Sequence, residues 1–293
     1  MHDVCIIGHV TRDLVRRQGG PTETGIGGVA YYAGIALRSL GVDTAVLTSF
    51  AEADAADILA PLSAAGVTIY RRASPTTTCF ENVYSGRKLA HRRQRVEAVA
   101  APFEPDDLAG IQARAFHLGP LTGMEMSVAF LSTVVGRPAR VSLDVQGFTR
   151  RLEAGEVRRT DWAEKSQGMA RVGIVHASWQ EAWYLTGEDD PERAVRALAA
   201  LGPEEVVVTL GGDGAIICAQ EEVFRIPAVA PRAVVDPTGC GDSYMAGYLF
   251  QRMRSDDIAA AGRFAAALAT CNLERAGPFV GDEREVCARL GHR

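Results

Sequence analysis

Residues 234–247 read VVDPTGCGDSYMAG, a turn rich in proline and glycine that leads directly into an amphipathic helix. The small residues at 239–241 let backbone N–H groups point into one concavity, and the helix start adds its positive dipole end, so the stretch predicts an anion site. Asp242 lies in the same turn, where a carboxylate suits a phosphate site only if it accepts a proton, as phosphorylation of a hydroxyl requires. An N-capped helix with an acidic first turn explains these residues equally well.

Short apolar runs alternate with segments of helical periodicity for nearly the whole length of the chain. The predicted strands are Val4–Gly8, Thr44–Ser49, Ala115–Leu118, Val141–Val145, Gly173–His176 and Val206–Leu210. The predicted helices are Val29–Leu40, Ala53–Ala64, Met126–Val135, Glu192–Leu201, Ser243–Arg252 and Ile258–Leu273. Apolar strands separated by helices predict an α/β fold with a parallel sheet covered on both faces. Ligands of such sheets gather at the carboxyl ends of the strands.

Two stretches, at about 11–25 and 68–95, break this rhythm with alternating, rather polar segments and no helix between them. Strands inserted in this way predict a small accessory sheet that acts as a lid if it overhangs the strand ends. The second stretch contains RKLAHRRQR at 87–95, which lacks the interleaved aromatic residues of a nucleic-acid surface. A solvated edge strand is favoured there, and a contact with an acidic or phosphorylated substrate stays open.

Composition excludes several classes of protein. The chain has 293 residues, 47% hydrophobic and 23% charged, and a net charge of −5, which argues against a nucleic-acid binder. The N-terminus lacks the features of a secretory signal, and no run reaches the length of a membrane span, so we expect a cytoplasmic protein. The six cysteines and six histidines form no metal-binding pattern. No P-loop motif occurs, so nucleotide binding of that kind is excluded.

The segment DPTGCGD at 236–242 resembles the C-terminal signature D-T-x-G-A-G-D of the ribokinase-like, or PfkB-type, carbohydrate kinases. The resemblance implies one ribokinase-like kinase domain over 1–293, a three-layer α/β/α fold with a mostly parallel central sheet and a small β-strand lid. It also implies that Asp242 is the catalytic base and that Gly239, Cys240 and Gly241 form the anion hole. Cys240 departs from the usual Ala or Gly, a change that a hole built from backbone N–H groups should tolerate.

The N-terminal region carries two further matches to this family. IIGHVTRD at 6–13 is similar to the first strand with its substrate-binding aspartate, here Asp13. GIGGVA at 25–30 resembles the N-terminal glycine signature, in which Gly27 and Gly28 would let the backbone approach the hydroxyl groups of the acceptor. The family usually has Asn where this chain has Tyr32, which leaves a ribose- or fructose-like contact open.

Two later segments resemble the donor side of the family. In ASWQEAWYLTG at 177–187, Glu181 matches the family pattern N-x-x-E, with Ser178 in place of Asn, and this implies a Glu181 contact with Mg²⁺ or its waters. A carboxylate on an exposed helix face is the alternative.

The second segment, VVTLGGDGA at 207–215, looks like the strand and turn that flank ATP. The resemblance implies that Thr209 and Gly211 contact phosphate or ribose, and that Gly214 shapes the turn. An ordinary hairpin with a Gly-Asp-Gly turn is the alternative.

The acceptor class rests on a subgroup described as myo-inositol kinases. The stretches that resemble it are DVQGFTR at 144–150, Asp161-Trp162 and GPF at 277–279. The resemblance implies that Asp144, Gln146 and Arg150 line the acceptor site. A polyol has hydroxyl groups all round and therefore needs mixed hydrogen-bond donors and acceptors, which suits these residues. An ion pair between Asp144 and Arg150 at a strand end is the alternative.

The sequence is thus identified as a member of the PfkB-type kinases, with ATP and Mg²⁺ expected and myo-inositol the best candidate acceptor among polyols and sugars. A nucleoside kinase of the same family stays open, with Tyr31, Tyr32 or Phe80 as an aromatic clamp. A sugar-sensing protein that has the fold but no turnover also stays open. A monovalent-cation requirement and a homodimer through the lid are further expectations from the resemblance, with no nucleic-acid or membrane partner.

Overall fold

The computed structural model describes residues 1–17, 21–84 and 92–291. Within these residues the strands are β1 His2–Ile7, β2 Thr11–Arg17, β3 Thr22–Gly27, β4 Thr44–Phe50, β5 Thr68–Ala73, β6 Cys79–Tyr84, β7 Arg92–Ala98, β8 Ala113–Leu118, β9 Arg140–Asp144, β10 Arg150–Glu153, β11 Glu156–Arg159, β12 Ile174–Ser178, β13 Glu205–Thr209, β14 Ala215–Ala219 and β15 Glu222–Ile226. The helices are α1 Val29–Ser39, α2 Ala55–Ala64, α3 Val128–Val135, α4 Lys165–Met169, α5 Trp179–Thr186, α6 Pro191–Ala199, α7 Cys240–Arg252, α8 Ile258–Leu273 and α9 Glu283–Arg289.

Nine of the described strands form a large sheet in the order β15-β14-β13-β12-β9-β8-β1-β4-β5. The pairs from β5 to β13 are parallel, and only β14 and β15 run antiparallel to their neighbours. All six predicted strands lie in this parallel part, within a few residues of the predicted bounds. The prediction of a mostly parallel α/β sheet is therefore confirmed.

Both faces of the large sheet are buried beneath helices. Along β1 the side chains alternate: Cys5 and Ile7 belong to the core beneath α3, α5 and α6, whereas Val4 and Ile6 pack beneath α1, α2, α7 and α8. This is the two-residue period of a strand, with apolar residues on both faces because both are covered. The result is the predicted three-layer arrangement.

A second sheet of six described strands has the order β10-β11-β7-β6-β2-β3. It contains most of the described part of the two stretches that lack a helix. The prediction is wrong at Thr68–Ala73, which joins the large sheet as β5, parallel to β4. A strand at the edge of a sheet is partly open to solvent, so its sequence is polar and alternating. This pattern does not show which of the two sheets the strand joins. Residues 18–20 and 85–91, the latter including most of the arginine-rich stretch, lie outside the described residues.

Helix α7 is held against the sheet by the helix beside it and by a buried ion pair. A Cβ on Gly247 of α7 would lie 3.0 Å from the Cα of Ala265, so glycine lets α8 pack closely against α7. At the end of α7 the Arg252 guanidinium lies 2.8 Å from the Glu205 carboxylate of β13, with both side chains buried. The start of α7 is thereby fixed relative to the carboxyl ends of the strands. In the part of the chain that the structure describes, no helix has the length and apolar character needed to cross a membrane.

Candidate active site

A cavity of about 500 Å³ lies between the second sheet and the carboxyl ends of β9, β12 and β13, beside the start of α7. It brings together most of the predicted site residues. Those that line it are Asp13, Gly28, Asp144, Gln146, Arg150, Ser178, Glu181, Thr209, Gly211, Gly239, Cys240, Gly241 and Asp242. The strand ends of a parallel sheet meet at one edge, which is why residues far apart in the sequence converge here.

Three predicted glycines shape the backbone around the cavity. Gly28 has φ +96°, and a Cβ there would clash with the carbonyl oxygen of His9. Gly27 lies beside the wall rather than on it, and a Cβ there would lie 2.8 Å from Oδ2 of Asp13. Gly214 also lies off the wall, with φ +94°, between the paired strands β13 and β14. The segment 207–215 therefore forms a hairpin. Within it, Thr209 and Gly211, at the carboxyl end of β13, face the cavity.

The turn before α7 is locked by short contacts. Oδ1 of Asp236 accepts a hydrogen bond from the Thr238 N–H at 2.9 Å, and Asn272 of α8 donates to the Thr238 carbonyl at 2.9 Å. Gly239 then takes the left-handed conformation, with φ +74°, and α7 begins at the next residue. The N–H groups of Gly241 and Asp242 lie in the first turn, where a helix provides no carbonyl acceptor for them. The turn therefore presents a ready anion site.

Cys240 fits this turn because its thiol packs against Asn272 of α8. Its thiol lies 3.8 Å from Nδ2 of Asn272, and burial raises the pKa of the thiol to about 11, so it stays protonated. The Cys240 N–H donates to the carbonyl oxygen of Pro237 at 3.3 Å. The N–H groups of the predicted anion hole at 239–241 therefore differ in their roles. The N–H of Cys240 closes the turn, and that of Gly241 stays available to an anion.

Asp242, in the first turn of α7, has the properties of a general base. Burial is the main reason that its pKa rises to about 7, and the nearby Asp144 carboxylate raises it further. The positive charges of His176 and Arg150 act in the opposite direction. A carboxylate with a pKa near neutrality accepts a proton far more readily than one on the protein surface. An acidic residue that only stabilises the first turn of a helix needs neither this burial nor a raised pKa.

The acceptor side of the cavity is polar. Asp144 is 4% exposed, and its Oδ1 accepts a hydrogen bond from the Gln146 N–H at 2.8 Å. Its Oδ2 lies 2.8 Å from Nδ1 of His176, so this carboxylate has a partner other than the predicted Arg150. The Arg150 guanidinium donates to the Leu121 carbonyl at 3.2 Å. Hydrogen bonds to fixed neighbours hold the Asp144 and Arg150 side chains in place at the cavity wall.

The part of the cavity predicted to face the donor is built around Glu181. Its Oε2 accepts the Ser178 N–H at 2.8 Å in a capping box that starts α5, and its Oε1 lies 2.9 Å from Nη1 of Arg159. The Glu181 side chain is 3% exposed, so the exposed-face alternative is wrong. Both oxygens are occupied, so Glu181 fits a contact with Mg²⁺ through water better than direct coordination. Among the described residues no group of three His, Cys, Asp or Glu side chains forms a metal site by itself.

Two residues of the site with titratable or charged side chains were not found from the sequence. His176 is a single histidine in the apolar strand IVHAS, and Arg159 lies at the end of β11, whose hairpin with β10 was not predicted. Arg159 reaches from the second sheet to Glu181, and its Nη1 also lies 3.3 Å from Oγ1 of Thr149. A lone charged residue in a strand gives no local signal; only the convergence of strands in space shows its partners.

The aromatic residues at the cavity are already packed against protein groups. A Cβ on Gly239 would clash with the Tyr32 ring, which therefore covers the turn before α7. The Arg150 guanidinium lies over the Phe80 ring, 5.8 Å from its centre. Tyr31 packs edge-on against Tyr32, with ring centres 5.3 Å apart. Tyr32 and Phe80 line the cavity but are only 5% and 3% exposed, whereas Tyr31 does not line it.

The fold and the cavity define a phosphotransferase that acts on a hydroxyl group of a small molecule. The family model described as "pfkB family carbohydrate kinase" matches residues 1–283, and the chain belongs to that family. The predicted family and the predicted ribokinase-like fold are both confirmed.

Relatives of known activity differ in their acceptors. The chain is 28% identical to the inositol 3-kinase of Oryza sativa subsp. japonica, over 90% of this chain and 67% of the relative. It is also 28% identical to the cytidine kinase of Thermococcus kodakarensis, over 85% of this chain and 88% of the relative. A solved structure described as a "pyrophosphate-dependent kinase in the ribokinase family complexed with a pyrophosphate analog and myo-inositol" is similar with a TM-score of 0.87 and 26% identity, over 97% of this chain and 99% of that one.

Proposed function

We propose that this chain transfers the terminal phosphoryl group of ATP to a hydroxyl group of a polyol, and that myo-inositol is its acceptor. The observation that carries this proposal is the position of Asp242. Its carboxylate, with a pKa raised to about 7, lies in the same helical turn as the N–H groups that form the anion site. A base beside an anion site is the arrangement that phosphorylation of a hydroxyl needs.

The reaction follows from the placement of these groups. Asp242 takes the proton of the acceptor hydroxyl as the hydroxyl oxygen attacks the terminal phosphorus of ATP; the bond from that phosphorus to the bridging oxygen breaks, and ADP leaves with the bond's electron pair. The first-turn N–H groups of α7, including that of Gly241, stabilise the negative charge on the transferring group. The second sheet covers the cavity and limits the access of water, which would otherwise compete as acceptor.

A polyol fits the acceptor side better than a nucleoside does. Asp13, Asp144, Gln146 and Arg150 provide acceptors and donors in several directions, as a ring of hydroxyl groups requires. Of the three aromatic candidates for a base clamp, Tyr32 packs against the turn at Gly239, Phe80 lies beside the Arg150 guanidinium, and Tyr31 does not line the cavity. The similarity to the inositol 3-kinase and to the kinase complexed with myo-inositol supports the same acceptor.

Mg²⁺ is the expected companion of the donor. It usually keeps several waters and binds through one or two carboxylates together with substrate phosphates, and Glu181, linked through water, fits that role. When bound, the ion neutralises charge on the donor phosphates. Ser178, Thr209 and Gly211 are proposed to face the donor. Pyrophosphate is the second candidate donor, because two similar structures, at 27% and 26% identity, are of pyrophosphate-dependent kinases.

The test is a panel of initial rates with purified protein and Mg²⁺. ATP and pyrophosphate serve as donors, and myo-inositol, other polyols, hexoses, ribose and cytidine serve as acceptors, with and without potassium. We expect kcat/KM for myo-inositol to exceed that for cytidine at least about tenfold, because a site built to hydrogen-bond hydroxyls discriminates strongly. A preference for cytidine would replace the polyol assignment, and donor binding without turnover would favour the sensing protein.

The pH dependence of the reaction should follow Asp242. Below its pKa of about 7 the carboxylate is protonated and cannot accept a proton, so activity is present above this pH and lost below it. We expect kcat/KM for the acceptor to rise tenfold per pH unit up to about pH 7 and then level off. An activity that stayed constant down to about pH 5, as for an ordinary carboxylate, would contradict this role.

A further inference from the structure

His176 is a buried ring that the proposed reaction does not use. It lies on β12 between β9 and β13, at the carboxyl ends of these strands. Its Nδ1 lies 2.8 Å from Oδ2 of Asp144 on β9, and its Nε2 lies 3.3 Å from Oγ1 of Thr209 on β13. The ring therefore connects a residue of the acceptor side to a residue of the donor side.

The hydrogen bonds define where the ring carries its protons. An ionised carboxylate only accepts hydrogen bonds, so Nδ1 of His176 is protonated and donates to Asp144. The Thr209 hydroxyl can accept or donate, so Nε2 makes this contact in either protonation state. The Thr209 hydroxyl can therefore form this hydrogen bond with the protonated ring as well as with the neutral ring.

The surroundings of His176 favour its charged form. The charged and titratable groups that face the ring from neighbouring elements are Asp144 on β9, Glu181 on α5, Asp242 on α7 and His117 on β8. Burial alone lowers the pKa of His176, but the three carboxylates, Asp144 above all, raise it above its usual value. Burial lowers the pKa of His117 to about 4, so that ring is neutral. The three carboxylates therefore favour the protonated form of the His176 ring.

The ring also lies near the first turn of α7. A Cβ on Gly241 would lie 3.6 Å from Cε1 of His176, the carbon between the two ring nitrogens. Gly241 therefore faces this edge of the ring with room for little more than one added carbon. A displacement of the ring would break its hydrogen bonds to Asp144 and Thr209 and, if directed towards α7, would meet the turn at Gly241.

We propose that His176 is a positioning residue for phosphoryl transfer, because its hydrogen bonds hold the acceptor-side Asp144 and the donor-side Thr209 at a fixed separation. This inference rests on the proposed function. His176 itself touches no reacting atom; it fixes the distance between the two substrates. Small displacements of aligned reactants are costly, about 100-fold in rate for 1 Å.

Two substitutions separate the two contacts. In His176→Asn the amide nitrogen takes the place of Nδ1, so the contact with Asp144 is kept and that with Thr209 is lost. In His176→Gln the amide takes the place of Nε2, and the contact with Asp144 is lost. We expect kcat to fall by about 10- to 100-fold in both variants. The KM of the donor should rise mainly in His176→Asn, and the KM of the acceptor mainly in His176→Gln.

The pH dependence of activity distinguishes this role from a merely structural role of His176, which would not shift the pKa of Asp242. The charge of His176 lowers the pKa of Asp242, so its removal should shift the rising limb of the profile to higher pH in both variants. The matched control is His117→Asn, which removes a buried but neutral ring on β8 and should leave the limb in place. Unchanged KM values with an unmoved limb, or an equal shift in His117→Asn, would overturn the inference.

A measurement on the unaltered protein covers the case in which the variants fold poorly. With ¹⁵N-labelled histidine, we expect the signals of the buried His176 ring to shift on addition of myo-inositol and of the donor, whereas those of the buried His117 ring on β8 should stay in place. Unaltered signals after both additions would also overturn the inference. A wild-type protein that transfers no phosphoryl group would instead overturn the proposed function, so the two failures are distinguishable.

Discussion

Asp242→Asn is expected to lower kcat by about 10²- to 10⁴-fold, while the KM of the acceptor changes little. The amide keeps the shape of the side chain but cannot take the proton of the hydroxyl group. The measurement is a steady-state rate with myo-inositol at saturating donor. The matched control is Asp57→Asn, because Asp57 is also an acidic first-turn residue, in the exposed start of α2. It should lower kcat by no more than about twofold.

The stability of Asp242→Asn separates a catalytic role from a capping role. Because the pKa of Asp242 is raised in the folded protein, its charged form is disfavoured there relative to the unfolded chain, where the pKa is near 4. Removing the charge should therefore leave the melting temperature at neutral pH unchanged or raise it. An unchanged kcat together with a lower melting temperature would mean that Asp242 only supports the helix start.

Gly239→Ala should have the second largest effect on activity. Gly239 adopts φ +74°, and a Cβ there would clash with the Tyr32 ring, so the turn or the ring must move. Movement of the turn displaces the N–H groups that form the anion site. The loss of one such donor lowers kcat by about 10²- to 10³-fold. We expect a loss in this range, measured as kcat with the same two substrates.

The control for this substitution is Gly41→Ala. Gly41 has φ +83°, and within the described part of the chain a Cβ there would meet no neighbouring atom within 4 Å. Gly41→Ala therefore carries the same backbone cost, about 1–2 kcal/mol for a left-handed residue with a Cβ, but it has no clash and lies outside the site. Its activity should match that of the wild type. If Gly239→Ala kept wild-type kcat and lost only as much stability as Gly41→Ala, the turn would have no part in phosphoryl transfer.

The large sheet could be predicted well from the sequence because its strands are apolar on both faces and separated by helices. The sequence pattern was less informative for strands that form only because they pair with distant parts of the chain. The hairpin of β10 and β11 reads RRLEAGEVRR, which is highly charged, and it is stabilised as a strand pair by its contact with β7. The same reason explains β5, whose alternating edge pattern did not reveal its partner strand.

The site was predicted where its residues lie in contiguous motifs and missed where they converge from separate strands. Asp242 and the turn before it form one motif, so the sequence alone places the carboxylate beside the first-turn N–H groups of α7. His176 stands 32 residues from Asp144 and 33 from Thr209, so no local pattern connects the three. Arg159 was missed for the same reason, since its partner Glu181 lies on another element 22 residues away.

The most direct test of the central claim is ³¹P NMR of a reaction mixture that contains the purified protein, Mg²⁺, donor and myo-inositol. We predict a new phosphomonoester signal, coupled to a ring proton, that grows in step with the loss of the donor's terminal phosphate. The signal should be absent without myo-inositol and strongly reduced with Asp242→Asn. Release of inorganic phosphate alone, with no ester signal from any acceptor of the panel, would contradict the proposed phosphoryl transfer.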